Sequence, residues 1–222
     1  MSYFAPGENP APDASHLASA IYIDSADPAV QAFAERVAGD AADPVARAVR
    51  LFYAIRDGWR YDPFSIRIDP ERHRASRILA GGATYCVPKA ILLAAAARAL
   101  GIPSAIGLSD VRNHLTSDKL RERMGGNTLF VDHGYAVLHL EGRWVKAAPA
   151  FNIELCDRFG VRPTEFDGHG DAVFQEFDRS ERRHMEYVRD HGTWSDLPFD
   201  RVMADYRANY PARLFEDGAD RF

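Results

Sequence analysis

The feature that most constrains this fold is an apolar run at residues 90–100, rich in alanine and leucine, that follows Cys86 and Pro88. Proline is tolerated in a helix only in the first turn, so Pro88 predicts a helix start close to Cys86. Gly101 and Pro103 predict its end. The segment is therefore expected to form a buried helix of about three turns.

Cys86 is expected at the N-terminus of this helix, where the partial positive charge of the helix end stabilises a thiolate. Gly81 and Gly82 lie just upstream and allow a close approach of the backbone. A nucleophilic cysteine would occupy such a position. Most free cysteines are instead small buried hydrophobes, and this segment alone leaves both interpretations open.

A second segment, residues 133–148, predicts a β-hairpin that begins with a histidine. His133 opens an aromatic and aliphatic strand, Glu141 and Gly142 form a two-residue turn, and residues 143–148 return. A nucleophilic cysteine needs a base, and histidine is the usual one near neutral pH. One cysteine with a distant histidine is the pattern of a thiol enzyme, although a single histidine on a strand is more often a packing residue.

Together the two segments resemble the transglutaminase-like superfamily, which shares its core with papain-like thiol peptidases. The matching residues are Gly82, Cys86, residues 92–105 with Gly101-Ile102-Pro103, His133 and residues 142–145. The resemblance covers about residues 45–152. It implies an α+β fold in which N-terminal helices and a Cys-bearing core helix pack on an antiparallel sheet. It also implies that Cys86 is the nucleophile and His133 its general base.

The third catalytic residue departs from the superfamily pattern. An aspartate usually precedes a proline on the returning strand, and here Ala148 precedes Pro149. If the hairpin continues in register, Asn152 is a diagonal neighbour of His133, and its amide oxygen could accept the imidazole N–H. Alternatively, Asn152 only caps the following helix, residues 153–159. Two further candidates are Asp132 and Asp167.

Oxyanion stabilisation would require the Cys86 backbone N–H and a second donor. By resemblance, an upstream aromatic residue supplies that donor, and the candidates are Trp59 and Tyr61; Tyr85, adjacent to Cys86, is another candidate. Each of the three is more often a packing residue.

The polar segment at residues 109–127 is expected to be irregular and, in this architecture, to border the cleft. Its substrate-binding candidates are Arg112, Asn113 and His114, and His114 is also a rival base. The alternative is a solvated connection.

Length and composition are consistent with one domain, residues 1–222, with a core at about 45–152, an N-terminal segment 1–44 and a C-terminal extension 153–222. Hydrophobic residues make up 46% of the chain, and its net charge of −5 comes from interleaved charges that predict no nucleic-acid surface. The sequence offers neither a membrane span nor a secretory signal, which favours the cytoplasm. No metal or phosphate motif is present, so no cofactor is expected. Cys156 is expected to be a packing residue.

Local patterns predict further elements outside the two matching segments. Asp27-Pro28 and Asp43-Pro44 each predict the start of a helix. The composition of residues 20–23 predicts an edge strand, and residues 173–177 and 184–188 are expected to form strands that extend the sheet.

The sequence therefore predicts a thiol acyl-transfer enzyme acting on a peptide, a protein or a small amide. Hydrolysis by a cysteine peptidase or amidase is favoured over transfer to an amine by a transglutaminase. A catalytically silent binding protein on the same scaffold is the alternative, supported by Ala148. The oligomeric state is left open.

Overall fold

The computed structural model describes residues 1–174 and 177–215. The helices within these ranges are α1 (Pro28–Ala38), α2 (Pro44–Gly58), α3 (Ala75–Leu79), α4 (Cys86–Ala99), α5 (Asp118–Arg123), α6 (Ile153–Phe159) and α7 (Phe199–Asn209). The strands are β1 (Tyr3–Phe4), β2 (Arg60–Tyr61), β3 (Ala83–Thr84), β4 (Ser104–Asn113), β5 (Leu129–Leu140), β6 (Arg143–Ala147) and β7 (Met185–Trp194). No helix in the described ranges has the length and apolarity needed to cross a bilayer.

Helices α1 and α2 both begin at an Asp-Pro pair. The Asp27 carboxylate accepts the N–H of Ala29 at 2.9 Å, and Asp43 accepts that of Ala46 at 2.8 Å. In each helix the proline stands in the first turn, where its missing N–H has no intrahelical acceptor in any case. These local signals place both helix starts at the predicted residues.

The main sheet has five antiparallel strands in the order β1-β7-β4-β5-β6. The β5–β6 hairpin turns at Glu141 and Gly142, whose positive φ values of 49° and 80° fit a type I′ turn. Its register is the predicted one, with Leu140 opposite Arg143. The ladder ends at Ala147, however, and the next N–H, that of Ala148, bonds instead to the Ala172 carbonyl at 2.8 Å.

Helix α4 is the centre of the core. Its residues from Cys86 to Arg98 are buried, and it packs against the face of the sheet that carries Ile106, Leu108 and Leu138. Helices α1 and α2 cover α4 from the other side. The predicted α+β architecture, with N-terminal helices and a Cys-bearing helix on an antiparallel sheet, is confirmed.

Two local predictions are wrong. Residues 20–23 form no strand, because the Asp196 carboxylate binds the backbone N–H groups of Ile21 and Ile23, both at 3.0 Å. Residues 109–127 are not irregular throughout, since β4 extends to Asn113 and α5 lies within the segment. The strand predicted at residues 173–177 includes residues 175–176, which lie outside the described ranges.

Candidate active site

Cys86 lies at the first turn of α4 and is 7% exposed. Its immediate polar surroundings are backbone N–H groups of Gly134, Val87 and Cys86 itself, all of which lower its pKa. Burial outweighs them and raises the pKa to about 11. The prediction of a stabilised thiolate is therefore wrong. Desolvation of the buried Cys86 raises its pKa by more than the helix N-terminus lowers it.

Gly134 allows β5 to pass directly over the start of α4. A Cβ atom at this position would lie 2.8 Å from the Val87 Cα and 2.9 Å from its Cγ2, closer than such atoms approach. Only glycine permits this close packing, and the Gly134 N–H is one of the groups that lower the pKa of Cys86. The backbone of His133, the preceding residue, therefore lies close to the N-terminal end of the Cys86 helix, although the His133 Nε2 makes no hydrogen bond to the Cys86 sulfur.

The His133 imidazole is buried, at 3% exposure, and its Nε2 has no hydrogen-bond partner among the described residues. The ring packs against Phe174 at a centroid distance of 4.6 Å and approaches Tyr187 at 6.4 Å. Burial lowers the pKa of His133 to about 3, so the ring is neutral at pH 7. Its Nε2 is available to a ligand or a proton.

Asn152 uses both ends of its amide elsewhere. Its Oδ1 accepts the Tyr61 backbone N–H at 3.0 Å, and its Nδ2 donates to Glu154 at 2.6 Å. The Asn152 side chain does not cap α6 either, which was the alternative role. Asn152 therefore ties β2 to the start of α6, and orienting His133 would require it to exchange one of these bonds.

The two aspartate candidates are also committed to other partners. Asp132 precedes His133 with a φ of 51° and is fully buried. Its Oδ1 accepts a bond from Arg201 at 2.9 Å, and burial raises its pKa to about 6. Asp167 is exposed, and its Oδ1 accepts the N–H groups of His169 and Gly170 in a tight turn.

Asp110, Asp132 and His191 form the cluster in the described chain with ligand atoms close enough to hold a cation, all within 4.8 Å. Register shifts of the ladders bring them together. His191 Nε2 pairs with Asp110 at 2.8 Å, and Arg201 already supplies a cation to Asp132. The arrangement is an ion-pair network beside His133.

The three oxyanion candidates differ in availability. The Trp59 indole N–H donates to the Ile78 carbonyl at 3.0 Å, which removes it from consideration. The Tyr85 hydroxyl lies 2.7 Å from His73 Nε2. Tyr61 is buried and electrostatically coupled to Cys86, and burial raises its pKa well above the usual range. Tyr61 thus remains a donor in its protonated form.

A residue that the sequence reasoning missed is Lys89, one turn along α4 from Cys86. Its side chain is fully buried, and Nζ donates to the carbonyls of Arg56 and Trp59 at 2.7 Å and of Ala150 at 2.8 Å. Burial lowers its pKa to about 7. Lys89 ties α4 to the end of α2 and to the segment after β6. A lysine among apolar residues is the only sequence signal.

A cavity of about 60 Å³ opens beside His133. Of the substrate-binding candidates, Asn113 lines it. Arg112 and His114 instead pair with Glu186, at 3.7 and 3.0 Å. The bond from His114 Nε2 to Glu186 makes it a poorer base candidate than the unpartnered His133.

A sequence profile of the transglutaminase-like superfamily matches residues 31–149, more than half of the chain. The match begins within α1 and contains α2, α4 and the strands β4 to β6, together with Cys86 and His133. The chain belongs to the transglutaminase-like superfamily. No curated protein sequence matches it.

Two solved structures are similar to this transglutaminase-like chain. A proposed cysteine protease from Cytophaga hutchinsonii aligns over 60% of the chain at 17% identity, with a TM-score of 0.47. A proposed protease from Parabacteroides distasonis aligns over 58% at 14% identity, with a TM-score of 0.38. The aligned regions span only 40% and 26% of those two proteins.

Ala148, where the superfamily resemblance expects an aspartate, is fully buried in this transglutaminase-like protein. It packs with Phe4, Tyr135 and Val137 on the face of the sheet opposite α4. A carboxylate there would be desolvated among apolar groups, which is costly without a partner. The surroundings of this position are therefore apolar, consistent with alanine.

Proposed function

We propose that the protein is a thiol acyl-transfer enzyme in which Cys86 attacks an amide carbonyl and His133 moves the proton. The observation that carries the proposal is the buried His133 Nε2, which has no hydrogen-bond partner among the described residues. His133 is next in the chain to Gly134, whose N–H lowers the pKa of Cys86. An unpartnered buried nitrogen is costly to maintain, and a catalytic role accounts for it.

The proposed reaction begins with both groups neutral, because the thiol pKa is raised and the imidazole pKa is lowered. As Sγ bonds to the carbonyl carbon, its proton passes to His133 Nε2. The new imidazolium gives that proton to the amine nitrogen as the C–N bond breaks, leaving a thioester on Cys86. Water then attacks the thioester, His133 accepts a proton from it, and the thiol re-forms as the acid leaves.

The oxyanion formed during the attack would lie at the start of α4. The backbone N–H of Cys86 and the Tyr61 hydroxyl are the proposed donors, since a protonated phenol held in a buried position can donate without reorganisation. Asn152, whose Oδ1 accepts the Tyr61 backbone N–H, would position this donor, and it would hold the imidazole only by exchanging one of its two present hydrogen bonds.

We favour water over an amine as the acyl acceptor, so that the enzyme is an amidase or cysteine peptidase. The second candidate is a catalytically silent binding protein. It is favoured by the aspartate replaced with Ala148 and by the thiol pKa of about 11.

The deciding experiment is acyl-enzyme trapping with a panel of aryl amides in the presence of hydroxylamine. An active enzyme should yield the hydroxamate. Cys86→Ala and His133→Gln should each abolish hydroxamate formation while retaining the wild-type circular dichroism spectrum. Cys156→Ala is the matched control for a buried cysteine and should retain activity. Equal product from wild type and Cys86→Ala would refute the proposal.

A further inference from the structure

The cavity beside His133, here called the apolar pocket, constrains the substrate. Its walls are mainly aromatic and aliphatic and include Tyr61, Phe130, Phe151, Leu155 and Phe174. A ligand with a charged group would lose its hydration there without gaining a partner.

Most polar side chains at the edge of the apolar pocket are already satisfied by local turns. Asn113 Oδ1 accepts the N–H of Leu115 at 2.9 Å, and the Thr116 hydroxyl donates to the Asn113 carbonyl at 2.8 Å. Ser117 Oγ accepts the N–H of Leu120 at 3.3 Å. A primary amide, such as a glutamine side chain, would therefore find few hydrogen-bond partners.

The exceptions are the Tyr61 hydroxyl, proposed above as the oxyanion donor, and two histidines. His133 Nε2 and His184 Nδ1 are both buried, both belong to side chains lining the pocket, and both lack partners among the described residues. Phe174 packs on His133, Phe151 packs on Phe174 at 4.5 Å, and His184 stacks on Phe151 at 6.1 Å. The two imidazoles thus stand at the two ends of one series of packed rings.

The size of the pocket limits the apolar group further. A dry cavity of about 150 Å³ in another protein holds one benzene molecule. The apolar pocket, at about 60 Å³, is less than half as large. On that scale the apolar pocket holds about two or three carbon atoms, so a phenyl group requires a larger movement of the wall than a branched aliphatic group of three or four carbons.

Resting on the proposed function, we propose that the substrates are amides carrying a compact, uncharged aliphatic group next to the scissile bond. This group occupies the apolar pocket alongside the series of packed rings that runs from His133 to His184. Glutamine-like, charged and bulky aromatic groups are disfavoured.

The test uses iodoacetamides that differ in their N-substituent: hydrogen, isobutyl, phenyl and carboxymethyl. The alkylation rate of Cys86 is followed by peptide mass spectrometry and divided by the rate of free N-acetylcysteine with the same reagent. We expect the isobutyl reagent to exceed the phenyl and carboxymethyl reagents by at least about tenfold, as expected for a selective apolar site. Equal normalised rates would overturn the proposal.

Two variants on α6 provide a matched pair. Leu155→Phe fills the pocket and should abolish the isobutyl preference, expressed relative to plain iodoacetamide with the same variant. Ile153→Phe makes the same kind of change at a 40% exposed position that does not line the pocket, and it should keep the wild-type ratios. A preference that survives in Leu155→Phe would place the selective site elsewhere and overturn the assignment.

Calorimetric titration with N-isobutylacetamide measures binding without requiring chemistry at Cys86. Wild type should bind it, and Leu155→Phe, which fills the pocket, should not. No binding to wild type, or equal binding by Leu155→Phe, would refute the assignment of the pocket. Selective binding without hydroxamate formation would instead refute only the catalytic proposal.

The side of the scissile bond is resolved by hydrolysis of two matched amide series. One series varies the acyl group and the other varies the amine, each from methyl through isobutyl to benzyl. A maximum at isobutyl in either series supports the proposal and identifies the side that enters the pocket. A flat profile in both series, from an enzyme that yields hydroxamate, would overturn it.

Discussion

Replacing Lys89 with methionine should destabilise the fold strongly, because three backbone segments depend on its Nζ. The three carbonyls that accept its bonds, at 2.7 to 2.8 Å, belong to Arg56, Trp59 and Ala150. Each buried carbonyl left unpaired costs about 1–3 kcal/mol. The substitution also removes the cost of burying the amine, which offsets part of the gross loss of about 3–9 kcal/mol in the free energy of unfolding. We expect a net loss of about 3–5 kcal/mol at pH 7.

Urea unfolding followed by tryptophan fluorescence measures this loss. Lys146→Met is the matched control, since Lys146 is 34% exposed and makes one ion pair, with Asp190 at 2.6 Å. It should cost less than about 1 kcal/mol. A loss below about 1 kcal/mol for Lys89→Met, or one no larger than that of Lys146→Met, would contradict the role given to the three carbonyl bonds.

Three further predictions concern the proposed catalytic groups. The alkylation rate of Cys86 should rise tenfold per pH unit between pH 7 and 9, because its pKa is about 11; a plateau below pH 8 would indicate a stabilised thiolate. The pKa of His133 is about 6.5 in the unfolded chain and about 3 in the folded protein, so the unfolded state binds more protons in acid. Lowering the pH to 5 should therefore destabilise wild type by about 2 kcal/mol more than His133→Gln in urea titrations. An equal dependence of the free energy of unfolding on pH in the two proteins would refute this. Gly134→Ala should destabilise the fold by about 1–3 kcal/mol and abolish activity. Gly107 is more crowded, with 2.1 Å from an added Cβ to the Tyr135 ring, but it faces the opposite side of the sheet, so Gly107→Ala should destabilise the fold without changing the Cys86 alkylation rate.

The elements that could be predicted from sequence are those with local signals. Asp-Pro pairs mark the starts of α1 and α2, and Gly101 with Pro103 marks the end of α4. The β5–β6 register followed from a two-residue turn. In each case the information lies within a few residues of the boundary it determines.

The features that were missed depend on residues far apart in the chain. Residues 20–23 have the composition of a strand, but the Asp196 carboxylate captures their N–H groups. The charge of Lys89 is satisfied by carbonyls from three separate segments. The pKa of Cys86 is likewise decided by what covers it rather than by its helix position. No local pattern reports such contacts.

Strand β1 has only two residues, yet it occupies one edge of the sheet by pairing with Thr193 and Trp194 of β7. Ser2 anchors it through its N–H, which donates to the Ser195 hydroxyl at 2.9 Å. Without this short cover, the backbone groups at that end of β7 would be open to strands of other molecules. Deleting residues 1–4 should therefore make the protein more prone to self-association, and affinity tags are better placed away from these residues.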